Sequence, residues 1–92
     1  MTNIQSIETV LTRMVELLRF GARNDWANAL EKFRGEIAND PSATSAGILS
    51  MYGGMGSLND LILYKNGQPL VAENDEFDAL SSELYRLCHE IS

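Results

Sequence analysis

A mainly α-helical domain, a compact set of four helices with a small β-hairpin between the third and the fourth, is what this 92-residue sequence predicts. Three observations carry that prediction. Apolar residues recur at steps of three and four through separate segments, the pattern of helices with one buried face. Asn66-Gly67 sits between two apolar runs, the strongest short-range hairpin signal, because a type I′ turn needs positive φ at both positions. Three of the seven glycines, Gly53, Gly54 and Gly56, fall within four positions of one another. Such a cluster marks positive φ or close backbone approach.

The elements follow in chain order. Ile4, Ile7, Val10, Leu11, Met14, Leu17 and Leu18 form a helical stripe over about residues 4–20, with Asn3 or Ser6 as cap and Gly21 in the C′ position. A second helix starts near Asn24-Asp25 and shows Trp26, Ala29, Leu30, Phe33 and Ile37 on one face. Glu31–Arg34 and Lys32–Glu36 are paired at helical spacing along it, and Asn39-Asp40-Pro41 ends it. The short link favours an antiparallel helical hairpin. Asp40 as N-cap and Pro41 at the first helical position open a third helix to about Tyr52. Its Ala43, Ala46 and Gly47 suit close approach to another helix, and Gly53 suits a left-handed C′ residue.

Two readings compete for the next stretch. Ser57-Leu58-Asn59-Asp60 has the spacing of a capping box, so helix could continue to Asn66 and stop at Gly67. The favoured reading is the hairpin, with Pro69 in an edge strand where its missing N–H does least harm. Beyond it, Asn74 caps a fourth helix over about Asp75–His89, whose stripe is Phe77, Leu80, Leu84, Leu87, Cys88 and Ile91.

Length and composition bound the function. Ninety-two residues make one domain, residues 1–92, burying roughly 60–65% of its unfolded surface. With 45% hydrophobic and 22% charged residues, the chain is neither disordered nor membranous. No apolar run approaches the roughly 20 residues that span a bilayer, and the N-terminus lacks a basic, then apolar, secretion signal. A cytoplasmic protein is expected. One cysteine excludes an intrachain disulfide and a cysteine-based zinc site, and neither metal nor cofactor is expected. Residues 1–72 carry seven acids and six bases, whereas residues 73–92 carry six acids and one base, within a total of −6. That balance offers no footprint for nucleic acid, whose affinity comes from Lys/Arg–phosphate contacts.

Two candidate sites follow. The loop of Gly53, Gly54, Gly56 and Ser57, with Asn59 and Asp60 beside it, could present backbone N–H groups to an anion or small ligand. It is neither a P-loop, lacking the lysine before Ser57, nor a dinucleotide fingerprint. The second set is Glu73, Asp75, Glu76 and Asp78, an acidic surface for a basic partner, which competes with a solvated face and first-turn dipole pairing. Trp26 and the three tyrosines are core or half-exposed residues of types also enriched at interface hot spots. Cys88 and His89 point about 100° apart on a helix and do not face each other. Cys88 lies on the apolar stripe and is expected to be core.

The run Gly53-Gly54-Met55-Gly56-Ser57-Leu58-Asn59-Asp60-Leu61 resembles the motif of an uncharacterised family of small, mostly bacterial proteins. The similarity extends from the Trp26 helix to the Leu84-Tyr85 region. It implies a bacterial, soluble, stand-alone domain and carries no activity or catalytic residue. The functional expectation is therefore a non-enzymatic interaction protein of the immunity or regulator kind, with a protein partner of basic character. Self-association is compatible with the sequence. The alternative is a small-ligand or anion binder, or an enzyme, using residues 53–60.

Overall fold

The computed structural model describes residues 2–53 and 57–91. Among them the chain forms α1 (Asn3–Phe20), α2 (Asn24–Glu36), α3 (Pro41–Leu49), a 3-10 turn at Leu58–Asp60, β1 (Tyr64–Lys65), β2 (Gln68–Pro69) and α4 (Val71–Ile91). This is the predicted arrangement, mainly α with a two-stranded hairpin between the third and fourth helices. α1 is the central helix, packed on α2 along one side and on α4 along another, while α3 packs on α4. No helix among the described residues is long and apolar enough to cross a membrane.

α1 begins one residue earlier than the sequence suggests. Thr2, not Asn3 or Ser6, is the cap: its hydroxyl accepts the Gln5 N–H at 3.1 Å, and the Gln5 side chain accepts the Thr2 N–H at 3.0 Å. That reciprocal capping box satisfies two end donors at once. The apolar stripe then delivers Ile7, Leu11, Met14 and Leu18 to the core, all with no exposed surface.

The end of α1 departs from expectation in an instructive way. Gly21 holds φ −84°, so it is not the left-handed residue; that role falls to Ala22 at φ +60°. The Ala22 N–H donates to the Arg19 carbonyl and the Arg23 N–H to the Leu18 carbonyl, at 3.1 and 2.8 Å. These are the two bonds of a Schellman end, which normally has glycine where Ala22 stands. Glycine is needed one position earlier because the chain packs there: a Cβ on Gly21 would lie 3.0 Å from Leu63 Cδ2 and 3.2 Å from Leu63 Cβ.

α2 buries Ala27 and Leu30, with Trp26, Ala29 and Phe33 half-buried beside them and Ile37 buried just past its end. The Glu31–Arg34 pair forms as expected; Lys32–Glu36 is not among the ion pairs of the described residues. Asp40 caps α3 through the Ala43 N–H at 3.2 Å, with Pro41 in the first turn. α3 is shorter than predicted, ending at Leu49, and the alanines expected to pack face solvent. Thr44, Ser45 and Ile48 are buried instead. Close approach does occur at Gly47, where a Cβ would lie 3.0 Å from a Phe33 ring carbon. Since α3 stops at Leu49, Gly53 is not its C′ residue, although its φ of +85° is the left-handed value expected of it.

The competition over residues 57–66 resolves into a single 3-10 turn followed by the hairpin. Leu58, Leu61 and Leu63 all enter the core, so this connector is anchored by three leucines rather than by regular structure. Asn66 and Gly67 take φ +55° and +78°, and Tyr64 pairs with Pro69 and Lys65 with Gln68. α4 then starts at Val71, four residues before the predicted start. Asn74 is therefore not a cap. Its amide accepts the Leu63 N–H at 2.7 Å and donates to the Leu63 carbonyl at 3.1 Å, and that carbonyl also receives the Leu70 N–H at 2.9 Å. One side chain thus fixes the strand entering the hairpin to the helix leaving it.

Candidate functional site

The four acids near the start of α4 do not share one surface. At 100° per residue, Glu73 and Glu76 turn toward α1, and Asp75 and Asp78 turn the other way. Glu76 is held by Arg13, whose Nε and Nη2 donate to its two carboxylate oxygens at 2.6 and 2.9 Å. The guanidinium keeps that carboxyl below the usual glutamate range. Glu73 lines a shallow groove of about 400 Å³ with Arg13, Glu16, Leu17 and Phe20. Further along α4, Glu83 and Glu90 are both taken by Arg86. Asp75 and Asp78 make no ion pair among the described residues.

Asp78 belongs to a second groove of about 460 Å³, lined by Tyr52, Gly53, Asp78, Ser81, Ser82 and Tyr85. One wall is the chain after α3 and the other is α4. Here the two sets of sequence candidates meet, the glycine loop contributing Gly53 and the acidic set Asp78. Ser57 and Asp60 do not line this groove; Ser57 caps the 3-10 turn and is half-buried, and Asp60 is the exposed last residue of that turn. Gly54, Gly56 and the side chain of Asn59 lie outside the described residues.

The groove has a rigid aromatic floor. The Tyr52 hydroxyl donates to the Ser81 carbonyl at 2.7 Å, and burial pushes its pKa up, so it stays a neutral donor. Its ring packs on Tyr85 with centroids 5.0 Å apart at 32°, and Tyr85 packs on the His89 ring at 4.5 Å. Such offset, tilted pairs are the favoured aromatic geometry. Ser81 is 4% exposed, and its hydroxyl has no hydrogen-bond partner among the described residues. Among the described residues the lining therefore offers one carboxylate, hydroxyl groups and π faces, with no basic side chain.

Cys88 is fully buried behind this wall, as its place on the apolar stripe predicts. Burial raises its pKa to about 11, only partly opposed by the nearby Ser45 side chain of α3. A thiol so placed is a poor nucleophile. Sequence reading missed Ser81 and Ser82 and treated Tyr52 and Tyr85 only as generic interface types. One signal was present: Asp75, Asp78, Ser82, Tyr85 and His89 follow one another at steps of three and four, a polar and aromatic stripe that is exposed throughout.

A family model described as Domain of unknown function (DUF6966) matches residues 20–71, from the end of α1 to the first residue of α4. No curated protein matches the chain. No solved structure matches it. The matched stretch supplies the Tyr52–Gly53 wall of the groove, and the α4 wall lies beyond it.

Proposed function

The chain belongs to the DUF6966 family, the matched stretch being more than half its length, and we propose that it is a non-enzymatic interaction protein receiving a basic protein partner on the Asp75–Asp78–Tyr85 side of α4. One observation carries this reading: the carboxylates of Glu76, Glu83 and Glu90 are held by the chain's own arginines, whereas Asp75 and Asp78 make no ion pair among the described residues and Asp78 lines an aromatic groove. Unpaired surface charge next to tyrosines suits recognition, since aromatic residues anchor interfaces and charge steers encounter. The net charge of −6 argues for a protein rather than a nucleic acid as partner. A bacterial, cytoplasmic setting goes with this reading, supported by the single cysteine and the resemblance of the 53–61 motif. The competing use of residues 53–60 as an anion site or enzyme centre draws no support from the described groove, whose charged group, Asp78, is an anion.

A photo-crosslinking residue placed at Ser82 tests this, with one at Lys32 on α2 as control. Capture of a basic protein from Ser82 alone is expected, with an association rate that falls about tenfold between 0.01 and 0.1 M salt as the Debye length shrinks. Equal capture from both positions, or a salt-insensitive rate, would contradict it.

A further inference from the structure

We propose that the groove between Tyr52–Gly53 and α4 is an arginine socket, in which a partner's guanidinium lies on the Tyr52–Tyr85 rings and pairs with Asp78. The inference rests on the reading of the chain as the receiver of a basic partner and names the group that partner inserts. The groove's volume of about 460 Å³ admits one long side chain rather than a folded element. Its acceptors are the Asp78 carboxylate, which offers two oxygens, and the Ser82 hydroxyl on the next turn. A guanidinium presents five N–H donors in a planar fork, matches a carboxylate in two parallel bonds, and stacks on aromatic faces.

The site is also built before anything enters it. Tyr52 cannot swing freely, because its hydroxyl is tied to the Ser81 carbonyl at 2.7 Å and its ring is held 5.0 Å from that of Tyr85. Tyr85 remains 39% exposed, which leaves ring surface for a cation. Ser81, also in the lining, is 4% exposed and keeps a hydroxyl unanswered among the described residues. That hydroxyl is closed to solvent and belongs to the wall itself, so the groups open to an incoming guanidinium are those of Asp78 and Ser82. Charge selects against anions, since the described lining has no basic side chain. Between the two basic side chains, lysine is a compact and strongly hydrated point charge that gains little from stacking, so arginine is the better fit.

The test is a titration of the full chain, isotopically labelled, with blocked Gly-Arg-Gly, Gly-Lys-Gly and Gly-citrulline-Gly peptides, followed by NMR. The arginine peptide should move the Ser82 and Tyr85 signals and the Tyr52 ring signals saturably. The lysine peptide should bind several-fold more weakly, and the uncharged citrulline peptide should leave these signals in place. Asp78→Asn should weaken arginine binding by about tenfold or more, the scale of a lost charge-assisted bond. Glu76→Gln should leave it unchanged. Equal responses to arginine and citrulline, shifts confined to other surfaces, or no saturable shift would each overturn the socket. If a basic partner crosslinked at Ser82 still associates in a salt-dependent way while arginine and citrulline peptides behave alike, the socket fails and the interaction reading stands. Loss of both removes both.

Discussion

Asn74 and Asp78 lie four residues apart on α4, so one sits directly above the other on the same face of the helix. At Asn74 every polar atom of the side chain is used, one bond from the Leu63 N–H and one to the Leu63 carbonyl. One turn on, the Asp78 carboxylate faces a groove and has no partner among the described residues. The residue types are close in size and polarity; what differs is the wall opposite. Asn74 meets a strand end whose backbone groups need partners, whereas Asp78 meets tyrosine rings and open space. A polar side chain that a neighbouring backbone can satisfy becomes architecture, and one that nothing satisfies is available for a partner.

Removing the anchor should break the architectural side of this contrast most severely. Leu63→Ala deletes a fully buried side chain at the point where the hairpin, α1 and α4 converge, and should cost about 2–5 kcal/mol in denaturant unfolding. Asn74→Ala leaves the Leu63 N–H without its acceptor and should cost about 2 kcal/mol. Binding of a basic partner by the folded fraction should be unchanged in both. A stability loss under 0.5 kcal/mol, of the order expected for an ordinary surface substitution, would mean the hairpin is not held this way.

The end of α1 offers a finer test of the same junction. Gly21→Ala pushes a Cβ against Leu63, at 3.0 Å from its Cδ2, and should destabilise by about 1–2 kcal/mol. Its neighbour should respond in the opposite sense. Ala22→Gly relieves the φ of +60° and should stabilise by up to about 1 kcal/mol. Thermal melts of the two variants moving in the same direction would contradict the assignment of packing to Gly21 and of left-handed backbone to Ala22.

Cys88 gives a smaller and independent check on the wall behind the groove. With its pKa raised to about 11, only about one thiol in a thousand is ionised at pH 8. Native labelling should be slow and should become fast in denaturant. Rapid native labelling would show that α3 and α4 part at Ser45 and Cys88.

The parts of the fold that were legible in the sequence are those written in local spacing. α1 shows its stripe from Ile4 to Leu18, and Asn66-Gly67 specifies a turn whose angles need no other part of the chain. The misreadings share a cause, which is contact between distant residues. Asn74 carries the chemistry of a cap, but Leu63 claims its side chain from eleven positions away. Gly21 reads as a left-handed residue, but Leu63 claims that position too, and the unusual backbone passes to Ala22. In α3 the alanines read as the packing face, yet Ser45 is buried against Cys88 from α4. The groove is the least local feature of all. Tyr52 and Tyr85 stand 33 positions apart, and the four acids that look like one cluster in sequence are divided by the helix between two faces.

The division between Glu76 and Asp78 is the central claim, and paired substitutions test it most directly. Glu76 has a depressed pKa in the folded protein because Arg13 holds it, so its stabilising effect is present above the unfolded carboxyl range and disappears as pH falls through the folded value. Glu76→Gln should therefore lower stability at pH 7, and the gap from the parent should close below about pH 4. Asp78→Asn should leave stability at pH 7 unchanged, or raise it slightly by reducing the excess negative charge. The deciding measurement is association of both variants with the basic partner captured at Ser82. Asp78→Asn losing about tenfold in affinity while Glu76→Gln binds like the parent is the predicted result. Equal losses, or a loss confined to Glu76→Gln, would contradict the account.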